Sequence, residues 1–439
     1  MSSGTFYIHT FGCQMNVHDS EQMGQLLCDG DYVRVDEAAG ADIIIINTCS
    51  VREKAAQKAY SELGRLKKFK RRRPDLIMGV AGCLAQELGD GFFRKAPYLD
   101  FVLGTHNIHR LAQIVGAVRD RRSRVADTSL HQPVRSLGIR TLPSGGRVSA
   151  FVTIMQGCNN FCSYCIVPYV RGREESRQSI DILDEIRFLA GNGIREVTLL
   201  GQNVNSYGSG LSEGIDFPAL LRMINGIEGI ERIRFTTSHP KDLSGDLAAC
   251  FAGLDKVCEH IHLPVQAGSD YVLKKMKRGY TVGAYLQKVR MVRDACPEIS
   301  ITSDIIVGFP GEKERDFQKT VDLMEEVRFD NTFSFRYCDR NGTASEGYDK
   351  KVAEGIKRER LTLIQSLQER HTLEKNRSME GRVEDVLVEG VSKGSGVDVT
   401  GRTRGNKIVN FTGDETLVGK TVRVKIVRAH MHSLRGEML

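Results

Sequence analysis

The chain of 439 residues exceeds the size at which one hydrophobic core stops growing, so two or three domains are expected. Its 41% hydrophobic and 27% charged residues are those of a globular protein, and the longest aliphatic run, Ile43–Ile46, is far shorter than the roughly 20 apolar residues of a membrane span. The opening MSSGTFYIHT lacks the basic start and apolar stretch of a secretory signal, which predicts a cytoplasmic protein with no membrane partner. A net charge of +7 suits a polyanionic partner without requiring one. Eleven cysteines, an odd and high number, predict metal binding or catalysis in a reducing compartment, not a complete disulfide framework.

Phe6–Thr10, Asp42–Asn47 and Leu76–Ala81 read as strands, and Val17–Asp29, Val51–Lys70 and Leu84–Lys95 as helices. This alternation predicts a parallel-sheet α/β domain over residues 1–120. Residues 121–149, with Pro133, Pro143 and Gly145–Gly146, lose the pattern and read as a linker. A second alternating stretch, 150–377, has strands predicted at Ala150–Met155, Glu196–Leu200, Arg232–Thr236, His260–Leu263, Ser300–Val307 and Asn331–Tyr337. About six βα units predict an open, partial barrel. A polar helix near Glu354–Ser378 leads into 378–439, where Val383–Glu389, Val397–Gly401, Lys407–Phe411 and Thr421–Ala429 predict a small all-β barrel.

GCNNFCSYC places Cys158, Cys162 and Cys165 within eight residues, directly after a predicted strand. Three thiolates so close converge on one metal centre without long-range folding. On a four-iron cluster, three ligands leave one iron open for catalysis. A zinc site lacking its fourth ligand is the bland alternative. Cys13, Cys49 and Cys83 each lie just past the carboxyl end of a successive predicted strand, ahead of a helix. In a parallel sheet those ends share one edge, where open α/β folds bind ligands, and a helix start favours the thiolate. Ordinary buried cysteines are the competing reading here. Cys28, Cys250, Cys258, Cys296 and Cys338 show no such placement and read as core or incidental residues.

FGCQMN around Cys13, NTCSVRE around Cys49, GCLAQ around Cys83 and GCNNFCSYCIVPYVRGRE resemble the radical S-adenosylmethionine methylthiotransferases over almost the whole chain. Gln14, Met15, Asn16, Ser50, Val51, Arg52 and Glu53 are most similar to the MiaB type, which modifies isopentenyl-adenosine next to the anticodon of tRNA. The resemblance implies an N-terminal methylthiotransferase domain, a radical S-adenosylmethionine domain and a C-terminal TRAM module. It implies two 4Fe–4S clusters, an auxiliary one on Cys13, Cys49 and Cys83 and a radical-generating one on Cys158, Cys162 and Cys165. One S-adenosylmethionine would donate a methyl group to a sulfur and a second would yield a 5′-deoxyadenosyl radical that takes the hydrogen from carbon 2. The clusters and S-adenosylmethionine carry this chemistry, so no side chain is assigned a catalytic role.

Strand-end positions Gln202, Asn203, Ser238, Gln266, Asp304 and Gly308 are the candidate cosubstrate contacts. Arg423, Lys425 and Arg428 are the candidate RNA contacts, with the basic run Lys67–Arg73 a weaker one. The expected partners are a tRNA anticodon stem-loop and an electron donor such as flavodoxin or ferredoxin, and the chain is read as a monomer. Ala267 and Asn341 depart from the usual family wording, where serine and proline are common. The competing functions are methylthiolation of threonylcarbamoyl-adenosine in tRNA or of a ribosomal-protein aspartate. A non-enzymatic iron–sulfur RNA-binding redox sensor competes from another class.

Overall fold

The computed structural model describes residues 4–439 except 51–52, 122, 131–132, 135–137, 144, 393 and 395–396, and leaves out the side chains of 53–55 and 121. Val51 and Arg52, two of the residues that carry the subtype wording, lie outside the described residues.

The first domain is a six-stranded parallel sheet of β1 (Gly4–Phe11), β2 (Tyr32–Arg34), β3 (Ile43–Thr48), β4 (Ile77–Ala81), β5 (Phe101–Leu103) and β6 (Val125–Asp127), in the order β2-β1-β3-β4-β5-β6. Every residue of β3 and β4 is buried, as expected of central parallel strands covered on both faces. Helices α1 (Gln14–Asp29) and α5 (Leu111–Arg121) pack on one face through Met23, Leu27, Ile114 and Val118. The other face takes α2 (Glu53–Arg72), α3 (Cys83–Leu88) and α4 (Gly91–Lys95) through Ala59, Leu63, Ala85 and Phe92. The helix expected over Leu84–Lys95 breaks at Gly89, whose φ of 48° ends α3. One strand, β6, comes from the stretch read as linker and pairs with β5, so the sheet reaches beyond residue 120.

The second domain begins with β7 (Ser149–Thr153). The short pair β8 (Met155–Gln156) and β9 (Glu175–Ser176) encloses the cysteine loop and α6 (Val167–Val170). Then come α7 (Ser179–Gly191), β10 (Glu196–Leu200), α8 (Phe217–Asn225), β11 (Arg232–Phe235), α9 (Gly245–Gly253), β12 (His260–His262), α10 (Asp270–Lys275), α11 (Val282–Ala295), β13 (Ser300–Val307), α12 (Glu314–Val327) and β14 (Asn331–Arg336). The strands form two parallel three-stranded sheets, β7-β10-β11 and β12-β13-β14. Cys258 N–H donates to the Ile233 carbonyl (3.0 Å) and Ser238 N–H to the His262 carbonyl (3.3 Å) across the seam. Six strands in chain order thus make the open barrel expected from the pattern. Alternate strand residues pack with the surrounding helices into one large apolar core, and the intervening ones face the barrel interior.

The long helix α13 (Glu354–Arg377) leads to a closed barrel of β15 (Val383–Val391), β16 (Asp398–Thr403), β17 (Ile408–Thr412), β18 (Thr421–Ala429) and β19 (Leu434–Met438). This module is sealed to the amino-terminal mouth of the larger barrel by buried arginines. Arg232 donates to the carbonyls of Arg402 (2.6 Å) and Asp385 (2.9 Å), and Arg234 to those of Thr403 (2.8 Å) and Arg404 (2.9 Å). Arg234 is itself paired with buried Glu196 at 2.8 Å.

Candidate metal centres and cosubstrate site

Cys13 is the residue before α1, Cys49 follows β3 directly and Cys83 opens α3 after β4. Because β1, β3 and β4 are sheet neighbours, the three thiols meet at one edge. The Cys49 N–H donates to the Phe11 carbonyl at 3.1 Å, tying two of the loops. Asn47 ties them further: its amide donates to the Asn16 carbonyl (2.8 Å) and Ser20 Oγ (2.9 Å) and accepts from Asn16 Nδ2 (3.2 Å). Gly82 has φ 90°, and a Cβ there would stand 2.3 Å from Asn47 Oδ1 and 2.6 Å from the Thr48 carbonyl, so only glycine lets the Cys83 loop close. A hydrogen bond from Cys49 and the nearby Arg171 guanidinium lower the Cys13 pKa to about 6 against the effect of burial. Burial raises that of Cys83, with Arg171 opposing.

The second triad lies in the loop closed by β8 and β9. Cys158 N–H donates to the Gly172 carbonyl (3.2 Å) and Cys165 N–H to the Cys162 carbonyl (3.0 Å). Gly157, at φ 79°, lets the loop pass the Arg173 carbonyl, from which a Cβ would be 2.0 Å away. Burial raises the Cys158 pKa and, with Cys162 beside it, pushes Cys165 up to about 12. Such thiols deprotonate when metal binds, which makes metal uptake and proton release one event. Arg278 Nη1 approaches Cys162 Sγ at 3.4 Å, and Tyr164 meets Phe309 edge-on at 6.4 Å between ring centres. Among the described residues no three His, Cys, Asp or Glu side chains are gathered around the position of a single ion. The fit to clusters rests on the placement of the thiols at one sheet edge and in one closed loop.

The six candidate cosubstrate residues are held in different ways: five follow the ends of barrel strands, whereas Asp304, read as a strand-end position, sits within β13. Gln202 Oε1 accepts from Gly157 N–H at 2.5 Å, holding the start of the cysteine loop. Asn203 is buried and donates to Asp242 Oδ2 at 2.8 Å, while its Oδ1 has no partner. Ser238 Oγ, His239 Nε2 and Gln156 Nε2 are likewise buried and unpartnered at neighbouring strand ends. Buried polar atoms are rarely left so, and their clustering beside the cysteine loop fits a polar cosubstrate. Gln266 adopts φ 75° and bridges to β13, with its N–H on the Asp304 carbonyl at 2.9 Å. Asp304 Oδ2 stands 3.5 Å from His262 Nε2 and lines a cavity of about 870 Å³ running from Cys13 to the all-β module. Gly308 lies at φ 75°, its N–H donating to Glu312, whose carboxyl burial raises to about 7. Ala267 is buried with Val272, Leu273 and Phe309, a place where a serine hydroxyl would need a partner.

Residues 5–104 match the Uncharacterized protein family UPF0004, 152–324 the Radical SAM superfamily and 377–439 the TRAM domain. The chain is 58% identical to a tRNA-2-methylthio-N(6)-dimethylallyladenosine synthase of Syntrophus aciditrophicus, covering 99% of this chain and 94% of that one. Synthases of the same name from Syntrophobacter fumaroxidans and Geobacter sulfurreducens are 53% and 51% identical, each over 99% of this chain and 95% and 97% of theirs. The chain belongs to this synthase family. A solved radical S-adenosylmethionine methyltransferase, TsrM from Kitasatospora setae, shares the fold at a TM-score of 0.57 and 14% identity, over 79% of this chain and 77% of that one.

In this family member the TRAM strand β18 exposes Arg423, Lys425 and Arg428. Sheet register sets Asp385 opposite Arg423 and Glu437 opposite Lys425, so the basic stripe is interleaved with acids from β15 and β19. The run Lys67–Arg73 is partly absorbed by its own domain: Lys70 pairs with Asp100 at 2.7 Å, Arg73 donates to the Ala41 carbonyl and Lys67 lies 5.5 Å from the centre of the Tyr98 ring. Sequence reasoning missed Asn47, Asp19, Arg171 and Arg278. Arg171 stands inside the quoted motif IVPYVRGRE, but only the fold shows which domain it reaches.

Proposed function

We propose that the chain installs a methylthio group on carbon 2 of isopentenyl-adenosine next to the anticodon of tRNA, using one S-adenosylmethionine as methyl donor and a second as radical source. The observation that carries this is the pair of triads, one at the edge of the first sheet and one in the adjoining loop of the barrel, in a chain aligned end to end with a 58% identical synthase. The enzyme uses two 4Fe–4S clusters and S-adenosylmethionine, which supply the sulfur-carrying and one-electron chemistry that an unactivated aromatic C–H demands.

The chain's own residues hold and orient. Cys13, Cys49 and Cys83 would ligate the auxiliary cluster, and Cys158, Cys162 and Cys165 the radical-generating one. Gln202 shapes the cysteine loop through Gly157, while Asn203 and Ser238, each with a buried polar atom that has no partner, would meet the cosubstrate. Gln266, Asp304 and Gly308 complete its surroundings from the β12–β13 side. Arg423, Lys425 and Arg428 would meet phosphates, and a target in a single-stranded loop splays out at less cost than one in a duplex. In this reading 1–120 carries the auxiliary cluster, 150–377 makes the radical and 378–439 grips tRNA. The chain acts as a cytoplasmic monomer reduced by a flavodoxin or ferredoxin. Among the described residues no helix is long and apolar enough to cross a membrane. Nucleoside analysis of tRNA from a deletion strain tests the assignment. The gene should restore the 2-methylthio group on isopentenyl-adenosine, and restoration on threonylcarbamoyl-adenosine alone would overturn it.

A further inference from the structure

The segment Ile166–Gly172 leaves Cys165 and runs directly into the first domain. Ile166 and Val170 pack against Cys83. The Val170 carbonyl accepts from Thr105 Oγ1 (2.7 Å) and the Arg171 carbonyl from His106 Nε2 (3.0 Å), both from the loop after β5. The next carbonyl, that of Gly172, turns back to accept from Cys158 N–H at 3.2 Å. Consecutive peptide groups therefore grip one triad's domain and then the other triad's loop.

The Arg171 side chain completes the join. Its Nη2 donates to Asp19 Oδ2 at 2.5 Å, and its Nε approaches Cys83 Sγ at 3.4 Å. Asp19 sits on α1, six residues beyond Cys13. Both partners are almost wholly buried, at 3% and 5% side-chain exposure. A buried ion pair is a poor source of net stability, because desolvating two charges offsets their attraction. Its retention beside two cysteines calls for another role. The pair is neutral as a whole but has its cationic end against a sulfur. Hydrogen bonds and charges at cluster sulfurs are among the levers that set a cluster's potential.

We propose that Arg171 and Asp19 form a positioning and charge-setting pair for the centre held by Cys13, Cys49 and Cys83, hung from the same segment that carries the radical centre's last cysteine. This rests on the reading that the first triad holds an iron–sulfur cluster. Removing the cation leaves Asp19 unbalanced beside the centre and disfavours its reduced, more negative form. Removing the anion does the opposite.

The test uses the full-length reconstituted protein in which Cys158, Cys162 and Cys165 are alanine, so that one cluster remains. Iron and sulfide equal to one cluster in this parent support the underlying reading, and their absence would remove that reading independently of Arg171. Redox titration followed by electron paramagnetic resonance then compares Arg171→Gln, Asp19→Asn and Arg171→Lys at equal iron content. The expected result is a lower potential for Arg171→Gln, a higher one for Asp19→Asn and a value nearer the parent for Arg171→Lys. Shifts of the same sign, no shift, or loss of iron in all three variants would show a merely structural pair and overturn the proposal.

Discussion

Cys158, Cys162 and Cys165 come from one loop pinched shut by β8 and β9, whereas Cys13, Cys49 and Cys83 come from three loops that only a parallel sheet sets side by side. The first arrangement is local, and its integrity depends on a few backbone contacts such as Cys158 to Gly172. The second is as good as the sheet beneath it. Each triad also has one buried arginine against a sulfur, but the two are balanced differently. Arg171 is paired with Asp19, while Arg278 is held by neutral acceptors, the Tyr280 hydroxyl (2.9 Å) and the Pro264 carbonyl (2.8 Å). The first triad is thus flanked by a compensated pair, whereas among the described residues no carboxylate pairs with Arg278 beside the second. Clusters held on the two triads would therefore sit in different fields.

The largest effect should come from removing the ligands themselves. Replacing Cys13, Cys49 and Cys83 by alanine should lower iron and sulfide from two clusters to one and abolish methylthiolation, while 5′-deoxyadenosine is still formed on reduction. Replacing Cys158, Cys162 and Cys165 should leave the same iron content and no 5′-deoxyadenosine. Identical losses from both triples would erase the division of labour.

The dependence of the auxiliary site on its sheet gives the next effect. Phe101 on β5 is fully buried, and Phe101→Ala should cost about 3–5 kcal/mol, as large-to-small core changes of this kind do. Iron should fall toward one cluster, with S-adenosylmethionine cleavage retained. Proportional loss from both sites would mean that the two domains fold as one cooperative unit. The mirror experiment is Gly157→Ala, which forces a Cβ into the Arg173 carbonyl at φ 79°. A backbone strain of about 1–3 kcal/mol should loosen only the radical loop. Chelator extraction timed by absorbance should then release that cluster's iron first.

This contrast also decides what could be read without coordinates. CxxxCxxC is visible because its information lies within eight residues, and β10 and β13 fell on their predicted bounds because apolar runs end there at clear turns. The strand-end triad was legible only through topology, from three cysteines each following an apolar run. The short strands β2, β5 and β6 have three residues each and carry too little pattern to separate from turns. The fifth strand of the terminal barrel, LRGEM, has a buried glycine facing the Val424 side chain where an apolar residue would signal a strand. Arg171, Asp19 and Arg278 were opaque for a different reason. A charged residue reads as surface unless its partner is known, and their partners lie 152 and 116 residues away.

The smallest predicted effect separates the two regions by acid. The barrel contains two histidines that burial keeps neutral: His260, lowered to about 3 by desolvation with Arg234 nearby, and His239, lowered to about 2 by desolvation with Arg278 and Lys241 nearby. The unfolded chain takes up a proton at each near pH 6.5, whereas the folded barrel resists it. Between about pH 6.5 and the folded values the unfolded state therefore binds more protons, so stability is full above pH 6.5 and falls as the pH drops. At pH 5.5 each histidine should cost about 1.4 kcal/mol relative to neutral pH. Glu312, raised to about 7 by burial, takes up a proton in the folded barrel over the same range and offsets part of this loss, so the comparison is made against the double variant His239→Gln/His260→Gln, whose denaturant midpoint should fall less than the parent apoprotein's between pH 7.5 and 5.5. An unaltered slope in the histidine variant would remove both histidines from the acid response and overturn this part of the comparison.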